Sequence, residues 1–193
     1  MSYDIFNIGI DWAKQPKQTL EPYRTIIQYP GSGIYIRDIT DEIQIKFSAE
    51  YTNLSKSAEN QILSYFMSHK GRLNAFWTPV PKNYFTATAN IGASDTTIQI
   101  NNVSPIWLRG YERMFIIGPD LTLYHAKITG LTSTSMNINA PLGVALKTND
   151  ILLFGKLIYC RFDQDEISMQ YSSDSVSECE LSFIELPKEY PSL

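Results

Sequence analysis

The chain has 193 residues, 44% hydrophobic and 12% aromatic, which is enough to bury a core and too apolar for a disordered segment. Its formal net charge of −4 argues against holding nucleic acid by phosphate neutralisation, although a mildly acidic wall lets nucleic acid pass. The sequence has no run of about 18 apolar residues, so no membrane span is expected, and the start MSYDIFNIGIDW lacks the basic and apolar regions of a secretory signal.

Near the N-terminus, Tyr3, Ile5, Ile8, Ile10 and Trp12 outline a short strand or an apolar arm. Such an arm either completes the domain's own sheet or reaches a neighbouring subunit. The stretch AKQPKQTLEPYR then loses periodicity, Thr25–Tyr29 reads as a strand, and Pro30, Gly31, Ser32 and Gly33 form a turn. Ile34 and Ile36 give one short strand, and Ile43, Ile45 and Phe47 a second, expected to pair through a DITDE turn.

The stretch SAENQILSYFMSHKGRLNAFWTP follows, and the rest of the chain is organised around it. Ser55 or Ser57 can cap a helix start, and Glu59 is a first-turn acid that suits the helix dipole. Ile62, Leu63, Phe66 and Met67 fall on one expected apolar face. His69 and Lys70 are cations in the last turn, and Gly71 suits a left-handed C′ position. Leu73, Ala75 and Trp77 then alternate with Asn74 and Phe76, so the period drops from about 3.6 to 2. One helix in a β-rich chain is expected to cover an open sheet face.

From about Thr86 to Phe154 the texture turns rich in Thr, Ser, Asn and Ile. Strand candidates are Thr96–Ile100, Arg113–Ile117, Leu123–Ile128, Ser135–Ile138 and Asp150–Phe154, the rhythm of a small antiparallel barrel or sandwich. Longer strands resume with Lys156–Phe162, then Ile167, Met169 and Tyr171 on one face, then Cys179, Leu181 and Phe183. The expected fold is therefore mainly β, a β-sandwich or antiparallel sheet covered by one α-helix, with an inserted small β-barrel-like module. Residues 1–83 plus 155–193 form the main domain with helix 57–70, and 84–154 form the insert.

Catalytic groups are sparse. His69 and His125 lack a second His or Cys at ligand spacing, which gives a zinc site no support. No nucleophile elbow, P-loop or dinucleotide fingerprint occurs. Asp163 and Asp165 have a spacing that two calcium ligands can use, but the full loop pattern is missing and a solvated turn is the simpler reading. Cys160 and Cys179 read as buried thiols, with a disulfide between neighbouring strands as the other possibility. Trp77, Trp107 and Tyr111 are candidates for a sugar-stacking platform, set against the usual core or interface role of such residues. No catalytic residue, metal or cofactor is expected, and no enzyme.

The helix with KGRLNAFWTP resembles the helix and G-R-x-x-x-F segment of phage distal tail and tail-tip structural proteins, the minor tail and gene-transfer-agent group. The segment YCRFDQDEISMQYSSDSVSECELSFIELPKEY is similar to that family's closing hairpin. The matching positions are Gly71, Arg72 and Phe76, then Arg161, Phe162, Asp163, Asp165, Leu181, Glu185 and Leu186, with Trp77 beside the first set. The resemblance covers about half the chain, the sheet and helix but not the insert. It implies a non-enzymatic subunit, assembled in the host cytoplasm into the virion tail. In that family a β-sandwich domain, often hexameric, closes the end of the tail tube and docks the hub or fibres. The implied partners are copies of itself, tube proteins and hub or baseplate proteins, with no sequence-specific nucleic acid. A carbohydrate-binding β-module for cell-surface glycans is the alternative reading, and a hydrolase hidden in the loops is a third.

Overall fold

The computed structural model describes residues 4–7, 17–29, 33–80, 82–102, 113–173 and 176–187. The protein is mainly β, with eleven strands and one α-helix among the described residues. The chain divides into two compact units, Met1–Asn7 with Trp77–Ile158 and Ile8–Phe76 with Tyr159–Leu193. The first is here called the β-unit and the second the helical unit. The β-unit takes in the expected insert 84–154 together with 77–83 and 155–158.

In the helical unit, β1 (Lys17–Tyr29) and β2 (Gly33–Leu54) form a long antiparallel hairpin, from Lys17 opposite Ser48 to Tyr29 opposite Gly33. Two expectations are corrected here. The stretch expected to lack periodicity is strand from Lys17, and DITDE does not reverse the chain. Instead β2 runs through it for 22 residues, and the register shifts between Pro22 and Arg24, leaving Tyr23 against Ile39–Glu42. The turn signal is spent on a bulge, where Pro22, with no N–H to donate, is tolerated.

The inner half of β2 pairs with β11 (Val176–Glu185), and β11 pairs with β10 (Gln170–Ser173) and with the end of β9 (Leu153–Phe162). The strand expected to carry Ile167, Met169 and Tyr171 on one face is only β10, and Tyr171 is exposed.

Helix α1 (Lys56–His69) packs on β2 and β11. Ser55 is its N-cap, with Oγ accepting the Ala58 N–H at 3.3 Å. Its buried stripe is Glu59, Ile62, Phe66 and His69, whereas Met67 is 73% exposed. The apolar face read from sequence was thus rotated, because His69 takes the core position expected of Met67. Beneath the helix, Phe66 and Phe76 meet Phe162 with centroids 4.9 and 4.8 Å away. Phe162 in turn lies 5.5 Å from Phe183, which stacks on Phe47 at 4.6 Å.

Cys160 and Cys179 are free, buried thiols. Cys160 sits opposite Glu185 and Cys179 opposite Tyr51, so the two positions are six residues apart along β11. That is about 20 Å at the usual strand rise, beyond the roughly 7 Å that a disulfide spans. Burial raises both thiol pKa values, Cys179 to about 11, with Glu59 adding to it, and Cys160 with a smaller push from Glu185.

In the β-unit, the first half of β9 pairs with β6 (Arg113–Ile117), and the order continues through β7 (Leu123–Leu131), β8 (Ser135–Ile138) and β5 (Thr97–Asn102) to β4 (Phe85–Ala87). The lead-in to β4 returns to β9. Val80 N–H donates to Lys156 O at 3.1 Å, Tyr84 N–H to Phe154 O at 3.0 Å, and Phe154 N–H to Asn83 Oδ1 at 2.9 Å. The segment leading into β4 therefore lies along β9, and the core of the unit includes Ile98, Ile100, Met114, Ile116, Met136 and Phe154. Strand β3 (Phe76–Pro79) carries Trp77, whose backbone exchanges hydrogen bonds with Asp4 and Phe6 at 2.9 and 2.8 Å.

The return contact depends on Gly155, where an added Cβ would lie 2.7 Å from Lys82 O and 2.9 Å from the Phe115 ring. Gly155→Ala is expected to destabilise the protein by about 1–3 kcal/mol, since backbone must shift to admit the methyl. Denaturant unfolding checks this, and an unchanged midpoint contradicts the close approach.

Candidate functional site: the junction at the end of the helix

The helix ends in two successive left-handed residues, Lys70 at φ 53° and Gly71 at φ 60°. Lys70 N–H donates to Met67 O at 3.1 Å and Gly71 N–H to Phe66 O at 3.2 Å. This is the double hydrogen bond of a Schellman ending, which satisfies two carbonyls the helix would otherwise leave open. The left-handed C′ residue is Lys70, so Gly71 stands one position later than the sequence reading placed it. Asn74 N–H reaches back to His69 O at 3.0 Å, and the chain turns at once into β3. The expected strand start at Leu73 falls inside this turn, and Leu73 is exposed.

Gly71 is buried against the 163–165 segment, where a Cβ would lie 3.2 Å from Gln164 O and 3.3 Å from Asp165 Cα. The adjacent Arg72 donates from Nη2 to Asp163 O at 2.6 Å, and its guanidinium lies 3.8 Å from a carboxylate oxygen of both Asp163 and Asp165. Both carboxylates therefore serve Arg72, and Asp163 also lies 3.8 Å from Lys46. Arg72 is half exposed, so these ion pairs are worth about 0.5 kcal/mol or less each, and the hydrogen bond to the Asp163 carbonyl sets the geometry. Gln164 fastens the same segment to β11, its Oε1 accepting the Ser182 N–H at 3.0 Å.

The structure thus brings Gly71, Arg72, Phe76, Phe162, Asp163 and Asp165 into one junction. Leu181, Glu185 and Leu186 are buried in the helical unit. Glu185 extends the β2–β11 ladder by other means: its Oε2 accepts the Ile45 N–H at 2.9 Å and its backbone carbonyl accepts Gln44 Nε2 at 2.6 Å. Arg161 lies opposite Ile184 on β9, apart from the Arg72 cluster among the described residues. Trp77 belongs to the β-unit and is 4% exposed, with the Arg113 guanidinium 5.9 Å from its ring centroid. Its expected place in an exposed sugar platform is therefore corrected, because a covered ring presents no face to a sugar. Trp107 and Tyr111 lie outside the described residues.

Sequence reasoning missed the role of Glu59. Beyond suiting the helix dipole, it is buried and accepts Ser177 Oγ at 3.0 Å, Tyr171 Oη at 3.3 Å and Lys56 Nζ at 3.3 Å. The Ser177 hydrogen bond is the main reason its carboxyl is held below the ordinary glutamate pKa, with Lys56 and Tyr171 adding to it. Glu59 therefore fastens the start of α1 to the β10–β11 hairpin, as Arg72 fastens its end to the 163–165 segment. No local signal pointed to this, since Ser177 is 118 residues away.

His125 accepts from Arg113 Nη2 at 3.2 Å, and burial, then the Arg113 charge, lowers its pKa. Among the described residues no group of three His, Cys, Asp or Glu side chains is placed to hold a metal ion, and no helix is long and apolar enough to cross a membrane. The groups of the junction cap the helix, turn the chain and pack on the 163–165 segment. Comparison with protein-family models and with curated proteins finds no match.

Two outcomes follow from these contacts. Gly71→Val should cost about 1 kcal/mol or more, through its left-handed backbone and the close Gln164 carbonyl, while Lys70→Gly should be neutral or stabilising. Thermal unfolding separates the two, and equal effects would contradict the assignment. For Glu59, a depressed folded-state pKa means its contribution is complete above the unfolded pKa and is lost as pH falls through the folded value. The stability advantage of the native chain over Glu59→Gln should therefore shrink between about pH 7 and about pH 3. A gap that stays constant would show that the charge of Glu59 is not what fastens the hairpin.

Proposed function

We propose that this chain is a structural subunit of a phage or phage-like tail tip, which assembles into a ring that closes the tail tube and docks the hub or fibres. The observation that carries this reading is the meeting of the two sequence patches that resemble the tail family. Arg72 and Asp163, 91 residues apart in sequence, are joined by a 2.6 Å hydrogen bond at the end of α1. Six of the ten matching residues, Gly71, Arg72, Phe76, Phe162, Asp163 and Asp165, lie at this junction. Their roles are structural, which suits a scaffold protein.

The β1–β2 hairpin supports the same reading. From Arg24 opposite Asp38 to Tyr29 opposite Gly33, the two strands pair with each other and with no third strand among the described residues. This ribbon is about 20 Å long at the usual strand rise, and a two-stranded ribbon is marginal alone in water. Between Thr25 and Ile36 the sequence TIIQYPGSGIYI carries no charge, so the edge lacks the lysines that usually discourage strand addition. In the proposed assembly the ribbon and the open edge of β1 make the contact with a neighbouring copy. Closed rings arise from such head-to-tail contacts when the rotation closes, and a net charge of −4 suits a wall that DNA passes without sticking.

Light scattering with negative-stain imaging of the same peak tests the proposal, alone and with tube or hub proteins. The expected result is a six-fold or three-fold ring with a central hole, lost when residues 25–36 are replaced by an Asn-Gly turn. A monomer under every condition overturns the ring. A ring that survives the shortening leaves the ring in place and removes the ribbon from its contacts.

A further inference from the structure

We draw no further inference here: the strongest candidate, the groove of about 470 Å³ between β2, β11 and the 164–170 segment, lined by Glu50, Glu166, Glu178 and Glu180, is a cluster of carboxylates with no second feature that points to a ligand.

Discussion

The helical unit depends on the packing of Phe162. This ring is the last residue of β9, and it touches Phe66 from the helix, Phe76 from the strand after it and Phe183 from β11. Three stretches far apart in sequence are thereby fixed around one side chain that is fully buried. Each aromatic buries a large apolar area, and the tilted and edge-on geometries add to that burial. Because Asp163 follows Phe162 directly, placing the ring also delivers the Asp163 carbonyl to Arg72. The ion pairs there are weak and half exposed, so they refine a position that apolar packing has already set.

Two buried carboxylates then fix the edges of that core. Glu59 and Glu185 each use side-chain oxygens to satisfy groups on another element, Ser177 and Tyr171 in one case and the Ile45 N–H in the other. A buried carboxylate is costly unless it is hydrogen-bonded, so each specifies one register and penalises its neighbours. Slipping β11 by one residue against β2 would leave Glu185 buried without the Ile45 N–H, in addition to reversing the faces of Leu181 and Phe183.

Much of the architecture was legible in the sequence because its signals are local. Ser55, the run Ile62–Phe66 and the Lys70–Gly71 ending marked the helix, the spacing of turn signals marked β6 and β8, and alternation marked β9 and β11. What failed needed distant partners. The DITDE stretch carries turn residues, yet β1 pairs on both sides of it, so the chain absorbs the signal as a bulge. Met67 and His69 exchanged their expected environments because the aromatic rings of Tyr65 and Phe76 accept an imidazole, His69 lying 4.2 and 4.9 Å from them. Trp77 looked available on composition, but its backbone pairs with Asp4 and Phe6 and the Arg113 guanidinium lies over its ring, and these come from two other parts of the chain. The junction was legible only as two separate patches, and their meeting appears only in the fold.

The two patches form one junction only if the rings that meet there are energetically coupled. A double-mutant cycle with Phe76→Leu and Phe162→Leu, read by denaturant unfolding, tests it most directly. The expected coupling energy is about 1 kcal/mol, the usual worth of an aromatic pair in contact. Additivity within about 0.3 kcal/mol would mean the two rings do not touch in solution, and the two patches would no longer form one junction.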